Sequence, residues 1–243
     1  MNVVQLFPIS VCIDKIPVDS DTKEYLKNQK YSKILYNGFP NGLISEDKSI
    51  LDLDGCKQLK EQIQEKINDC VLNYYHVDFD GNFYIHRSWT IIHQPGNWSH
   101  AHSHNNSIVS GVYYLDCFPD SGAIKFYKPE GYLNNLSTGT ISFQYNEHHE
   151  HNSETWSIVP KSGTTMLFPS KLKHSVDTNN SNETRMCLAF DVFVEGALRG
   201  DKQQDLVSLT LEKNWLLSRR ENMYTKADLH RIISSHQQLE DEA

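Results

Sequence analysis

The chain has 243 residues, is 38% apolar and carries a net charge of −8, a balance that allows a packed core beneath a polar surface. The acidic balance argues against a general nucleic-acid binder, which would show a basic face, and no run of eighteen apolar residues exists to span a membrane. The opening MNVVQLFPISVCIDKI lacks the basic start and long apolar run of a secretory signal, so a cytoplasmic address is expected. Cys12, Cys56, Cys70, Cys117 and Cys187 are scattered, odd in number and free of CxxC spacing, and read as reduced thiols.

In chain order, residues 3–17 alternate loosely and predict a strand. Asp21 and Glu24 have the spacing of a capping box and predict a short helix over 21–30. Between 55 and 74, Cys56, Leu59, Ile63, Ile67, Cys70 and Val71 recur at helical spacing opposite Lys, Glu, Gln and Asp, which predicts an amphipathic helix. From about 82 to 195 the runs FYIHRSWTII, IVSGVYYL, AIKFY, TISFQY, TWSIV, GTTMLFP, HSVDT and TRMCLAFDVFV are rich in strand-forming residues. Turn clusters such as Gln94-Pro95-Gly96 and Asn179-Asn180-Ser181-Asn182 separate them, the punctuation of a sandwich or jelly roll. Segment 130–153, with its EHHEH run, reads as a solvated excursion. LVSLTL (206–211) predicts a strand, and Thr225 with Asp228 opens a helix to about 238.

The chemistry concentrates in Ser99-His100-Ala101-His102-Ser103-His104. Residues two apart on a strand point the same way, so these three imidazoles can share a face and an adjacent pair can grip one metal. Far downstream, His174 follows a strand ended by Pro169. Two near ligands and one distant ligand make the layout of a facial triad, which leaves coordination positions open for substrate and oxygen. Eleven residues later, Arg185 lies in a strand of Met, Cys, Leu and Phe. Its guanidinium fork suits a carboxylate, such as the far end of 2-oxoglutarate.

These motifs carry a family resemblance. Trp89 and Gly96, then His102-Ser103-His104-Asn105-Asn106-Ser107 and Ser110-Gly111-Val112-Tyr113-Tyr114-Leu115, then Gly163 to Phe168-Pro169, His174, Arg185 and Ala189-Phe190 resemble the 2-oxoglutarate/iron(II) oxygenases of marine bacteria and their phages, distant relatives of prolyl hydroxylases. The resemblance implies a mostly β fold, a double-stranded β-helix (jelly roll, cupin-like) with flanking N-terminal and C-terminal helices. It also implies a single domain over 1–243, with an N-terminal strand and supporting helices in 1–80, the jelly-roll core in 81–200 and a C-terminal extension in 201–243. His102, His104 and His174 become the metal-binding and catalytic set, Arg185 the 2-oxoglutarate anchor, and Tyr114 either a second contact to that cosubstrate or a core aromatic. The cofactors implied are Fe(II) and 2-oxoglutarate. The partners are molecular oxygen and an unidentified substrate, a peptide residue or a small molecule, hydroxylated through a ferryl intermediate. The C-terminal extension is placed to pack across a homodimer.

The chain departs from the family pattern at four positions. Asn105 replaces a frequent proline, Cys187 a serine, and Asp191 an asparagine. His104 stands where relatives place Asp or Glu, so a three-histidine centre would leave its metal more positive. Two other readings of the same residues stand beside the first: a three-histidine iron dioxygenase that does not use 2-oxoglutarate, and a non-catalytic jelly-roll binding protein.

Overall fold

The computed structural model describes residues 7–129, 143–149, 152–198 and 207–209, together with Asn2. The helix expected over 225–238 and most of the 130–153 excursion lie outside the described residues. The chain divides into two compact units, Met1–Val194 and Glu195–Ala243. In the second, Gly196–Leu198 pairs antiparallel with Val207–Leu209, part of the strand expected at 206–211.

Two sheets build the first unit. The larger runs, in spatial order, β1 (Cys12–Lys15), β9 (Thr164–Pro169), β6 (Val109–Asp116), β11 (Arg185–Leu198), β4 (Asp80–His93), β3 (Phe39–Ser45) and β2 (Tyr31–Tyr36). The smaller runs β5 (Ser99–His102), β10 (His174–Val176), β7 (Ile124–Tyr127) and β8 (Thr155–Ile158). Neighbours pair antiparallel, as in β6 with β9 and β11, and in β10 with β5 and β7. The fold is the mostly β jelly roll expected from the sequence.

The central strands of the large sheet are buried on both faces, and their period-two alternation sorts two cores. Tyr113 and Leu115 on β6, Leu167 on β9, and Met186, Leu188, Phe190 and Val192 on β11 pack in one cluster with Leu26, Leu59, Ile63 and Ile67. Those four residues come from helices α1 (Ser20–Lys27) and α2 (Lys57–Asn68), which cover that face. Each such side chain stabilises the fold by roughly 1.5–3 kcal/mol. The intervening residues Val112, Tyr114, Met166, Phe168 and Cys187 join Ile124 and Phe126 of the small sheet in a second cluster between the sheets.

Several local readings change: among the described residues the strand expected over 3–17 is confined to Cys12–Lys15, and 143–145 of TISFQY form no strand. Helix α1 begins at Ser20 because the side chain of Asp19, not of Asp21, accepts from the Thr22 N–H (2.7 Å). The amphipathic helix is α-helical only to Asn68 and continues as a π-helical turn over Asp69–Tyr74. The hairpin β2–β3 was not predicted, although Asn37 (φ 50°) and Gly38 (φ 82°) supply the two left-handed residues of a tight hairpin turn. Finally, Cys12 and Cys70 form a disulfide, so the reduced-thiol reading holds only for Cys56, Cys117 and Cys187. Disulfides are rare in the cytosol, so the cysteines lend no support to a cytoplasmic address. Among the described residues no helix is long and apolar enough to cross a membrane.

Gly111, in the middle of β6, is a point where packing leaves no room. A Cβ there would overlap the Phe190 ring and come within 2.9 Å of a Leu167 methyl. We expect Gly111→Ala to lower the free energy of urea unfolding by about 1–3 kcal/mol through overpacking. An unchanged midpoint would show that the Phe190 contact is loose.

Candidate metal centre

Strand pairing brings the histidines together. His102 on β5 and His174 on β10 are direct cross-strand partners, with ring centroids 4.5 Å apart. His104, two residues beyond His102, is held by its backbone N–H donating to the Ser170 carbonyl (2.9 Å). Its ring lies 5.2 Å from both of the others. One ring nitrogen from each of the three lies within 4.8 Å of the other two.

The tautomers follow from what each Nδ1 touches. In His102 it donates to the His100 carbonyl (2.8 Å), and in His174 to the Leu172 carbonyl (3.0 Å). In His104 it donates to a carboxylate oxygen of Asp191 at 2.5 Å. Oxygen acceptors on all three Nδ1 atoms place the protons there and leave the Nε2 lone pairs free. His104 Nε2 is buried with no hydrogen-bond partner among the described residues. A buried nitrogen left unpaired costs free energy, and a cation among the three rings would satisfy it. Burial pushes the His174 imidazole down to about 4 and lowers that of His102, so both are neutral and ligand-competent at pH 7.

The inner face of the large sheet supplies the surroundings. On β4 the alternating residues Arg87, Trp89, Ile91 and His93 share that face with Asp191, Ala189, Cys187 and Arg185 of β11. At one end, Arg87 Nη2 (2.6 Å) and Nε (3.1 Å) donate to one oxygen of Asp191, while Ser110 Oγ donates to the other (2.8 Å). Burial alone would raise the Asp191 carboxyl, but the bonds from His104, Ser110 and Arg87 outweigh it and hold the group below its ordinary value. The Trp89 ring is 4.8 Å from the Arg87 guanidinium and 5.8 Å from the His104 ring.

At the other end of the same face, Arg185 is only 1% exposed. Its Nη1 donates to the carbonyls of Ser121 (2.9 Å) and Gly122 (3.2 Å), and its Nη2 to His93 Nδ1. Its Nε has no partner, and no carboxylate pairs with it among the described residues. Burial and the Arg185 charge push His93 down to about 3, which keeps it a neutral acceptor. Gly122 (φ +95°) lets the loop close here, since a Cβ would collide with the Asp177 carbonyl and press on Arg185 Nη1 at 3.0 Å. A buried guanidinium with donors to spare and no countercharge is chemically a seat for an anion. Tyr114 and Cys187 are buried nearby in the inter-sheet cluster, and burial holds the Tyr114 hydroxyl well above the usual phenol range.

His100 is exposed and lies beside His102 (5.4 Å between ring centroids). In the EHHEH run, His148 and His149 are exposed and apart from the cluster, while Glu150 and His151 lie outside the described residues. The sequence reading did not include Arg87, Ser110, His93 or the contact of Asp191 with His104. The alternation within FYIHRSWTIIH does carry Arg87 and His93 to the face of Trp89, and was the available signal.

The three convergent imidazoles between the two sheets form a group able to hold one metal ion. Residues 87–191 match the family model described as "Putative 2OG-Fe(II) oxygenase", a segment that starts at Arg87, ends at Asp191 and includes all three histidines and Arg185. No curated protein matches the chain. Among solved structures, the epimerase SnoN from nogalamycin biosynthesis, in complex with Fe3+, α-ketoglutarate and nogalamycin RO, is similar with 11% identity and a TM-score of 0.55. The match covers 84% of this chain and 93% of that one. The carbocyclase SnoK matches at 11% identity and a TM-score of 0.51, over 82% of this chain and 79% of that one. A Pseudomonas putida prolyl-4-hydroxylase matches at 15% identity over 76% and 92%, with a TM-score of 0.48. At these identities the likeness of SnoN and SnoK is one of fold.

The buried neutral histidines set an acid limit on the metal-free protein. His174 takes a proton near pH 4 when folded but near the usual 6.5 when unfolded, so acid favours the unfolded chain. We expect the free energy of urea unfolding to be highest above pH 6.5 and to fall towards pH 4, His174 alone accounting for on the order of 3 kcal/mol. His93 adds a loss in the same direction that extends to about pH 3. A flat profile between pH 7 and pH 4 would contradict the burial of these rings as neutral groups.

Proposed function

We propose that this chain is an Fe(II)/2-oxoglutarate-dependent dioxygenase whose metal is held by Nε2 of His102, His104 and His174. The observation that carries this reading is the set of three histidines whose Nδ1 atoms are all occupied by oxygen acceptors, leaving three converging ring nitrogens, one of them buried and unpaired. Arg185 takes the distal carboxylate of 2-oxoglutarate, with Nε and the remaining Nη2 hydrogen as donors and Ser121, Gly122 and His93 fixing the plane of the guanidinium. When bound, iron and 2-oxoglutarate would supply the electrons that reduce molecular oxygen and so activate it for attack on a C–H bond. The protein's own part is to hold that pair, to orient the substrate and to exclude water.

The side chains between the two seats suit this division of work. Phe126 and Phe168 pack against the His174 ring (6.1 and 4.8 Å) and keep its surroundings apolar. On the exposed side, rings continue outward from His102 through His100 to Tyr36 (6.4 Å) and Trp98 (4.6 Å from Tyr36). Tyr36 comes from the β2–β3 hairpin, so this element contributes an aromatic shelf beside the centre. The substrate, a small molecule or a peptide residue, lies on that shelf with one C–H bond turned to the metal, and hydroxylation of that bond is the outcome.

The test is an anaerobic titration of Fe(II) and 2-oxoglutarate, monitored by the visible metal-to-ligand charge-transfer band. Wild type should develop the band and His174→Ala should not. Arg185→Ala should require at least about 30-fold more 2-oxoglutarate, as expected when one partner of a buried charge pair is removed. Iron binding without the band would favour the three-histidine dioxygenase that needs no 2-oxoglutarate. No iron binding at all would leave a non-catalytic binding protein.

A further inference from the structure

His102 and His174 direct their Nδ1–H groups to a backbone carbonyl two residues earlier on their own segment, a local and electrically neutral support. His104 does otherwise. Its Nδ1–H reaches a carboxylate 87 positions away, which is 0% exposed and has both oxygens engaged. We propose that Asp191 is a positioning residue that delivers to the metal, through His104, the negative charge that a carboxylate ligand delivers directly in a two-histidine, one-carboxylate centre. The proposal rests on the metal centre proposed above and deepens it.

Three observations carry it. A carboxylate behind a ligating imidazole fixes the ring's tautomer and orientation and raises the basicity of the opposite nitrogen. The opposite nitrogen of His104 is the buried, unpartnered Nε2. Second, the carboxylate is itself rigidly aimed, with Ser110 on the oxygen that faces His104 and Arg87 on the other, so it cannot turn away. Third, the surrounding charges favour an anionic influence at the metal. Asp191 is wholly buried, whereas the side chain of its countercharge, Arg87, is 46% exposed and therefore screened by water. The interior thus keeps more of the negative charge than of the positive. A purely structural ion pair between β4 and β11 would need Arg87 and Asp191, but not the 2.5 Å contact to His104.

The test is a Co(II) titration of the full-length, metal-free chain without 2-oxoglutarate, read by visible absorption and calorimetry, with the thermal midpoint of the apo protein measured alongside. Asp191→Asn keeps the shape and removes the charge, and should weaken Co(II) binding about 10–100-fold. The double variant His104→Asp/Asp191→Asn moves the carboxylate onto the metal and should bind within about threefold of wild type, more tightly than His104→Asp alone, where two carboxylates face each other. The double variant set against His104→Asp alone decides the matter if Asp191→Asn does not fold. Wild-type affinity in Asp191→Asn, or a double variant that binds no more tightly than His104→Asp, would each overturn the assignment of Asp191. Failure of the wild type to bind Co(II) would instead remove the metal centre itself, and the proposal with it.

Discussion

Two charges have to be buried on the inner face of one central strand, and much of this architecture answers to that constraint. Strand β11 lies between β6 and β4, with its alternate residues packed under the helices, so Arg185 and Asp191 cannot reach bulk water. An uncompensated charge in such a place costs several kcal/mol. Asp191 is compensated in full, by an imidazole, a hydroxyl and a guanidinium drawn from the strands or loops on either side. Among the described residues, Arg185 is compensated by carbonyl dipoles and a neutral ring alone. The two ends of one strand face therefore differ in kind. One is electrostatically closed around His104, and at the other, among the described residues, guanidinium donors are left unpaired.

Strand alternation made a good part of this readable in the sequence. The β-rich middle of the chain and the spacing of His102, His104 and His174 were visible because period-two patterning and histidine placement are local properties. Arg185 stood out as a guanidinium among Met, Cys, Leu and Phe. What escaped was set by partners far away in the chain. Asp191 reads as one polar residue in FDVFV, and only the pairing of β11 with β6 and β4 shows that it meets Ser110, Arg87 and His104. The disulfide between Cys12 and Cys70 closes a separation of 58 residues with no motif to announce it. The β2–β3 hairpin is a different case. Its Asn37-Gly38 turn was a clear local signal, overlooked beside the stronger helical periodicity that follows.

Two of the departures from the family pattern turn out to touch each other. The resemblance leads to the expectation of a carboxylate at His104 and an amide at Asp191; here the imidazole and the carboxylate are hydrogen-bonded partners. Read separately, the first removes charge from the centre and the second adds an unexplained buried acid. Read as a pair, they set a buried carboxylate directly behind the imidazole. The change at Cys187 has no such partner, and its thiol is simply buried beside Tyr114.

Trp89 occupies an unusual position in this arrangement, with an indole 9% exposed, close to a guanidinium and stacked against the histidine that Asp191 supports. An indole reports its electrostatic surroundings through the colour and yield of its emission. The protein thus carries an intrinsic optical probe against its own candidate centre, and changes in occupancy or charge at His104 can be followed in the native chain without an added label.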